Sequence, residues 1–420
     1  MGKYFERLIE SEIERRLKSS GAISVAGPKF CGKTTTAERF AKSSVKLNTN
    51  SMIALARMEP KAMLMGKTPR MIDEWQTVPD LWNETRALID ERQKFGQIIL
   101  TGSSTPADKS EIHHSGAGRI TTLKMRPMSL FESQESKGIV SLRTLFDEQD
   151  TEVFYLNDSH TLTDTAFMMC RGGWPLSLHK DREVALDVTR NYYEGLFYFE
   201  NSDNEKFRNK KPDVMRMILR AYARNISTEA SYKTIVADVT TNENRSMNDR
   251  TLDEYVDALR DLYILEDMDA WNPNLRSKTA VRTTATRHFV DTSIACAALG
   301  ITPADLMKDT NTFGLMFEDM AVRDLRVYAM SLRGELRHYR DSRGLECDAV
   351  MHLDDGRWAM MEIKLGGDKL IEEGAQNMLK IRADIADQKA LAFMMIITAT
   401  GHAYRRKDGI YVVPINCLKP

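Results

Sequence analysis

Cysteine is scarce in this sequence: five residues in 420, Cys31, Cys170, Cys296, Cys347 and Cys417, far apart and with no C-x-x-C pair. That excludes a disulfide framework and the usual zinc-ligand spacing, and points to a reducing cytoplasm. Long hydrophobic runs are missing too. The longest, about residues 390–399, is too short to cross a bilayer, and no membrane partner is expected. The first sixteen residues are charged and lack the apolar centre of a signal peptide. Charge of one sign is absent: 59 Lys+Arg against 60 Asp+Glu leave a net −1. A uniformly basic coat for nucleic acid is thereby excluded, although a local basic face is not. There is no internal repeat and no low-complexity linker.

What is present suits a globular chain of two or three domains, 42% hydrophobic and 28% charged. Tyr4, Phe5, Leu8, Ile9, Ile13 and Leu17 recur at helical spacing and predict a helix over 3–19. A buried strand over 22–26, a Gly/Pro loop and a helix over 33–44 follow. Strands are expected at 70–72 and 97–100, with a helix at 81–92 between them. Strands alternating with helices imply a parallel α/β sheet. Residues 120–200 read as connectors and helices. Residues 212–269 hold three short helices, the third capped at Asn248; their spacing suits either a winged helix or a plain helical lid. A helix over 317–330 and strand-like alternation end the chain. The boundaries expected are 1–200, 201–300 and 301–420.

Gly27, Pro28, Lys29, Phe30, Cys31, Gly32, Lys33 and Thr34 fit G-x-x-x-x-G-K-[ST] at every fixed position, between a strand and a helix. The glycines let backbone N–H groups curl around phosphate oxygens, Lys33 can reach the β- and γ-phosphates, and the Thr34 hydroxyl can ligate Mg²⁺. Thr35 is a further nucleotide-binding candidate. Met71-Ile72-Asp73-Glu74 runs an apolar strand into two carboxylates: Asp73 to hold the metal, Glu74 to orient or deprotonate the attacking water. A D-E pair alone usually starts a solvated helix; the preceding P-loop favours the catalytic reading. Thr101 and Ser103, at the end of the next strand, could sense the γ-phosphate or simply cap a turn. Arg119 could serve a neighbouring subunit's nucleotide or make a surface ion pair.

Residues 344–365 read as a β-hairpin around a loop of Asp354-Asp355-Gly356, with Gly356 left-handed. Leu353 then faces Arg357, Asp348 lies opposite Glu362, and Glu346 lies opposite Lys364. Cys347, Ala349, Met351, Leu353, Ala359, Met361, Ile363 and Leu365 form the other, apolar face. A two-residue loop would mismatch that apolar set, so the hydrophobic pattern selects the register. Facing carboxylates repel, and Mg²⁺ or Mn²⁺ would relieve them. Lys364 could activate a water or stabilise charge on a phosphate. An acid followed by E-x-K on a hairpin resembles the PD-(D/E)XK nucleases. Those enzymes add a glutamate from a preceding helix, for which Glu318 is the candidate; Gln376 could approach the phosphate. The alternative is a solvated face with a Glu346–Lys364 salt bridge.

Taken in order, these stretches resemble the bacterial and archaeal AAA+-like ATPases whose C-terminal part is a domain of unknown function with a PD-(D/E)XK nuclease-like fold. Also matching are residues 127–132 (PMSLFE), 172–175 (GGWP), 288–291 (HFVD) and 409–415 (GIYVVPI). Trp75 and the Ala285-Thr286-Arg287 segment depart from the pattern. The resemblance implies an α/β fold class: an N-terminal P-loop AAA+-like ATPase domain, a helical winged-helix-like middle and a restriction-endonuclease-like C-terminal α/β domain. It implies nucleotide binding at 27–34, catalytic and metal roles for Glu74 and Asp73, and nuclease-like roles for Lys364, Glu318, Asp348 and Glu362. ATP and Mg²⁺ are the ligands expected (Mg²⁺ or Mn²⁺ at the second site), with Thr34 a further metal candidate and Arg119 a further catalytic one from the residues themselves. The function expected is ATP hydrolysis coupled to DNA engagement, with metal-dependent DNA cleavage at the C-terminus and a homo-oligomer as an option. The rival is a nucleotide-switched DNA- or protein-binding module on a non-cutting scaffold. Arg276, Lys278, Arg282 and Arg287 offer either a basic patch or a solvated loop. Nothing suggests the lid of a P-loop kinase.

Overall fold

The computed structural model describes residues 4–104, 116–148, 150–157, 159–198, 210–272, 284–385 and 388–420. The chain divides into two compact units: Met1–Pro127 with Gly195–Met215 and Glu254–Ile264, and Met128–Glu194 with Arg216–Asp253 and Leu265–Pro420. Among the described residues no helix is long and apolar enough to cross a membrane.

The first unit is built on a five-stranded, all-parallel sheet. Its strands are β1 (Ala22–Ala26), β2 (Ser43–Lys46), β3 (Arg70–Asp73), β4 (Ile98–Gly102) and β5 (Ile120–Lys124), in the order β2-β3-β4-β1-β5. β1, β3 and β4 are almost wholly buried, as continuous apolar runs in parallel sheets should be. The helix Asp80–Arg92 and the turn before it lay Trp75, Val78, Leu81, Trp82, Leu88 and Ile89 against Ala22, Ile72, Ile98 and Leu100.

Three expectations need correction here. The opening helix spans only Ile9–Leu17. The helix after the P-loop ends at Glu38 rather than 44, because residues 43–46 pair with β3 as an edge strand whose residues alternate between half-buried and exposed. Ser-Ser-Val-Lys has little strand propensity, so pairing decides its state. β5, read as connector, is likewise made a strand by pairing with β1.

The second unit has a mixed seven-stranded sheet. It comprises β7 (Phe154–Tyr155), β8 (Gly334–Arg340), β9 (Glu346–Leu353), β10 (Trp358–Lys364), β11 (Leu391–Thr398), β12 (Ala403–Arg405) and β13 (Tyr411–Pro414), in the order β7-β12-β13-β11-β10-β9-β8. β6 (Val140–Ser141) and β14 (Leu418–Lys419) form a separate parallel pair. The β9–β10 register places Met361 opposite Ala349 and Trp358 opposite His352, which is the register selected by the hydrophobic pattern. Gly356 takes φ 90° in the connecting turn. The helix Asp368–Asp384 buries Ile371, Ala375, Met378 and Ile381 against Val350, Trp358, Met360, Met394 and Ile396. The alternate residues Ala349, Met351, Ala359 and Met361 are equally buried, and the helix Thr310–Ser331 packs along β8, β9 and β10.

That long helix carries charge into the core. Arg323 donates to Asp291 at 2.9 Å and to Asp324 at 2.8 Å, and all three side chains are at most 1% exposed. Asp324 also accepts the N–H of Leu130, and Asp291 the N–H of Gly173. Gly173 is obligatory, since a Cβ would lie 2.1 Å from the Met128 oxygen. Asp319 accepts from His288 Nδ1, the N–H of Phe289 and the Thr292 hydroxyl. The 127–132, 172–175 and 288–291 stretches are thus brought together as one buried hydrogen-bonded knot around this helix. Its satisfied charges specify how the helix sits.

The helices Pro212–Arg224, Tyr232–Asn242 and Asp249–Asp261 match the three expected, with Asn248 capping the third through the N–H of Thr251. In the second unit, antiparallel bridges join Leu265 to Phe289 and Met268 to Thr286. Arg276, Lys278 and Arg282 lie outside the described residues. Arg287 is no part of a surface cluster, being buried and paired with Asp267 at 2.6 Å.

Candidate functional site

The parallel register brings three strand ends side by side. Val25 and Asp73 both pair with Thr101, so the loops leaving β1, β3 and β4 share the carboxyl edge of the sheet, where ligands of open α/β sheets bind. Residues 27–32 leave β1 as a tight loop. A Cβ on Gly27 would lie 2.0 Å from the Met125 oxygen, and Gly32 adopts φ 102°, so both positions need glycine. Lys33 is buried and its Nζ donates to the Pro28 oxygen at 2.7 Å, curling the chain into a cradle. The Thr34 hydroxyl donates to Asp73 Oδ1 at 2.9 Å, and Thr101 donates to the same oxygen. Ser103 donates to Glu74 Oε2 at 2.9 Å, and Gln76 engages that oxygen too. Glu74 sits at φ 58°, the left-handed region that a non-glycine residue adopts at a cost.

Of the expected nucleotide residues, Gly27, Lys33, Thr34, Asp73, Glu74, Thr101 and Ser103 therefore converge. Lys29, Phe30 and Thr35 are exposed on the loop and its helix, while Pro28 and Cys31 are buried. Arg119 ion-pairs with Asp90 at 2.8 Å on the surface, the second of the two readings offered for it. Gln76 was not anticipated. Nothing in its sequence position foretold that the turn after β3 would swing its amide back onto Glu74.

Residues 19–134 match the family model of an AAA domain. This segment is similar to AAA-like P-loop ATPase domains. The chain is thereby tied to ATP binding and hydrolysis, and the oxygen-rich pair Thr34–Asp73 suits Mg²⁺. Two further family models match, both described as domains of unknown function: DUF8612 over residues 162–305 and DUF4143 over 313–418. Uncharacterized proteins of Mycobacterium bovis and Mycobacterium tuberculosis are each 21% identical over 410 residues, 96% of this chain and 82% of theirs. A Walker-type ATPase of Pyrococcus abyssi aligns in three dimensions at TM-score 0.43 and 14% identity, over 70% of this chain and 96% of that one. A STAND signal-transduction ATPase of Pyrococcus horikoshii with a tetratricopeptide-repeat sensor aligns at TM-score 0.26 and 11% identity, over 92% of this chain and 53% of that one.

The C-terminal acidic residues lie outside the ATPase domain, at the end of the β9–β10 hairpin. Lys364 Nζ stands 3.0 Å from Asp348 Oδ2 and 2.7 Å from Glu362 Oε2. Asp348 Oδ2 also accepts the N–H of Ile363 at 2.7 Å. The Glu346–Lys364 salt bridge of the alternative reading is replaced: Glu346 meets Arg340 at 3.1 Å, and the Lys364 ammonium pairs with Asp348 and Glu362. Gln376 turns away to Glu372, and its neighbour Asn377 donates to Glu362 Oε1 at 2.8 Å instead. The sequence pointed to Gln376 as a group that could approach a phosphate and gave no signal for Asn377. Gly374 packs against Glu362, where an added Cβ would make ordinary van der Waals contact at 3.5 Å.

Burial and the Asp348 charge push the Glu362 carboxyl up to about 8, and the same causes raise the half-buried Glu318 well above its ordinary value. Burial opposes the Lys364 charge, but Asp348 and Glu362 outweigh it and raise its pKa. Among the described residues no group of three or more His, Cys, Asp or Glu is placed to hold a metal ion. As arranged, the residues do not fit a divalent cation, because the Lys364 ammonium takes the place between the two carboxylates.

A carboxyl raised on folding binds its proton more tightly in the folded state. Glu362 therefore stabilises the fold most below pH 4.5, and this contribution is lost as pH rises through about 8. Glu362→Gln should accordingly melt progressively higher relative to wild type as pH is raised across that window. A melting-temperature difference that stays flat with pH would contradict the raised carboxyl.

Proposed function

We propose that this chain is an ATP-hydrolysing protein that couples nucleotide turnover to engagement of DNA. The carrying observation is the convergence of Lys33, Thr34, Asp73, Glu74, Thr101 and Ser103 on one sheet edge. Lys33 would exchange the Pro28 carbonyl for the β- and γ-phosphate oxygens. Thr34 and Asp73 would hold Mg²⁺, which supplies neutralisation of charge on those oxygens. Glu74, with Oε2 fixed by Ser103 and Gln76, would take a proton from the attacking water through Oε1. Thr101 keeps the Asp73 carboxylate oriented. The three helices and the bridged pair 265/289 and 268/286 support a winged-helix-like DNA contact.

For the C-terminal pocket, the position of Lys364 between Asp348 and Glu362 favours the rival reading, a nuclease-like scaffold that does not cut as it stands. The test is ATP turnover and DNA binding by the purified protein, with and without Mg²⁺ and ATP, alongside cleavage assays with Mg²⁺ and Mn²⁺. Mg²⁺-dependent turnover with ATP-dependent DNA retention, both persisting in Asp348→Ala, supports the proposal. Cleavage of any DNA form that Asp348→Ala abolishes would instead make the pocket a nuclease. Absence of turnover would end the ATPase reading.

A further inference from the structure

The segment before the matched ATPase region reaches the phosphate-binding loop. Arg7 is 6% exposed, and its guanidinium makes two short bonds at once. Nη1 donates to the Cys31 oxygen and Nη2 to the Arg126 oxygen, each at 2.7 Å. Cys31 is the residue before Gly32-Lys33, and Arg126 follows the strand β5 that walls the loop from outside. Met125 is part of the same wall, its N–H bonded to Ala26 O and its oxygen accepting from the Cys31 thiol at 3.6 Å. Arg7 is itself held in place: its N–H donates to Glu10 Oε1, which also accepts from Tyr4, and the Tyr4 hydroxyl meets Thr36 on the helix that follows the cradle.

Peptide geometry gives this clamp a consequence. A trans peptide unit is planar, with its C=O and N–H pointing in opposite directions. Holding the Cys31 oxygen on Arg7 therefore fixes the Gly32 N–H in the opposite direction, away from the guanidinium, as an amide that cradles phosphate oxygens would be. Gly32, at φ 102°, is the residue freest to lose that orientation. A planar guanidinium suits the task, since its fork can hold two carbonyls in fixed relation, whereas an ammonium has no such fork.

We propose that Arg7 is a positioning residue for ATP, a brace that preorganises the cradle's amides without touching the nucleotide. The inference rests on ATP binding at residues 27–34. Because the brace acts before chemistry, its loss should weaken ground state and transition state alike, raising KM and leaving kcat nearly unchanged.

The test uses the full chain, with fluorescent-ATP titration and steady-state turnover of wild type, Arg7→Ala and Arg7→Lys. Both variants should show KM and the nucleotide Kd raised about tenfold or more, the size expected for losing a charge-assisted hydrogen bond. kcat should stay within about twofold of wild type. Guanidinium chloride, far below denaturing concentration, should restore part of the affinity of Arg7→Ala, and methylammonium should not. Should Arg7→Ala fail to fold, Arg7→Lys carries the test by its KM-against-kcat split. Wild-type affinity in Arg7→Lys, or a fall in kcat at unchanged KM, overturns the brace. Failure of wild type itself to bind nucleotide would fault the ATP site instead.

Discussion

Lys33→Ala is expected to lower ATP turnover by about 10²-fold or more, the scale on which losing one transition-state charge contact is felt. The side chain is buried in its own loop and bonded only 2.7 Å from Pro28 O. It is therefore already desolvated and aimed, and a nucleotide phosphate replaces a neutral carbonyl with an anionic partner. Removing it deletes a contact that strengthens as charge builds on the transferred phosphoryl group. Glu74→Gln gives the matching contrast, retaining ATP affinity while losing turnover, because the amide oxygen can still accept from Ser103 but the amide cannot act as a base. A coupled phosphate-release assay with nucleotide titration separates the two. Turnover of Lys33→Ala within about tenfold of wild type would mean the loop is not the hydrolytic centre.

Arg323→Met should be the most destabilising single change in the second unit, by about 3–5 kcal/mol. It strands Asp291 and Asp324 in the core with no cation, while each still accepts a backbone N–H that fixes the 127–132 and 172–175 stretches. Removing one partner of a buried pair costs more than removing both. Adding Asp324→Asn should therefore recover part of the loss, a non-additivity that a double-mutant cycle measures. Thermal melts followed by near-ultraviolet dichroism should show a drop of roughly 10 °C for the single variant. Unchanged melting would mean that the knot contributes no net stability.

Much of this was legible beforehand, and for identifiable reasons. The phosphate loop, the acidic strand end and the hairpin register are local: a tight turn needs Gly27 and Gly32, and an apolar alternation fits only one pairing of β9 with β10. Misreadings fell where long-range pairing overrides propensity, at Ser43–Lys46 and Ile120–Lys124, each made a strand by a neighbour distant in sequence. Asn377, which meets Glu362, carried no signal in the sequence, because which face of its helix packs on the hairpin is decided by tertiary packing. The 127–132, 172–175 and 288–291 stretches looked like independent signatures; they are three sides of one buried charge network.

By itself the sequence determined the chemistry on offer: a cradle for phosphate, two carboxylates beyond it, and a second acidic hairpin with a lysine. Such patterns depend on residue type and short spacing, which backbone geometry translates directly into shape. Only the tertiary structure decided how those groups are used. It turned the Cys31 carbonyl onto an arginine upstream of the matched ATPase region, drew Ser103 and Gln76 onto Glu74, and set the Lys364 ammonium between Asp348 and Glu362. In each case a buried polar group had to find a partner, and which partner lay within reach depended on segments far apart along the chain.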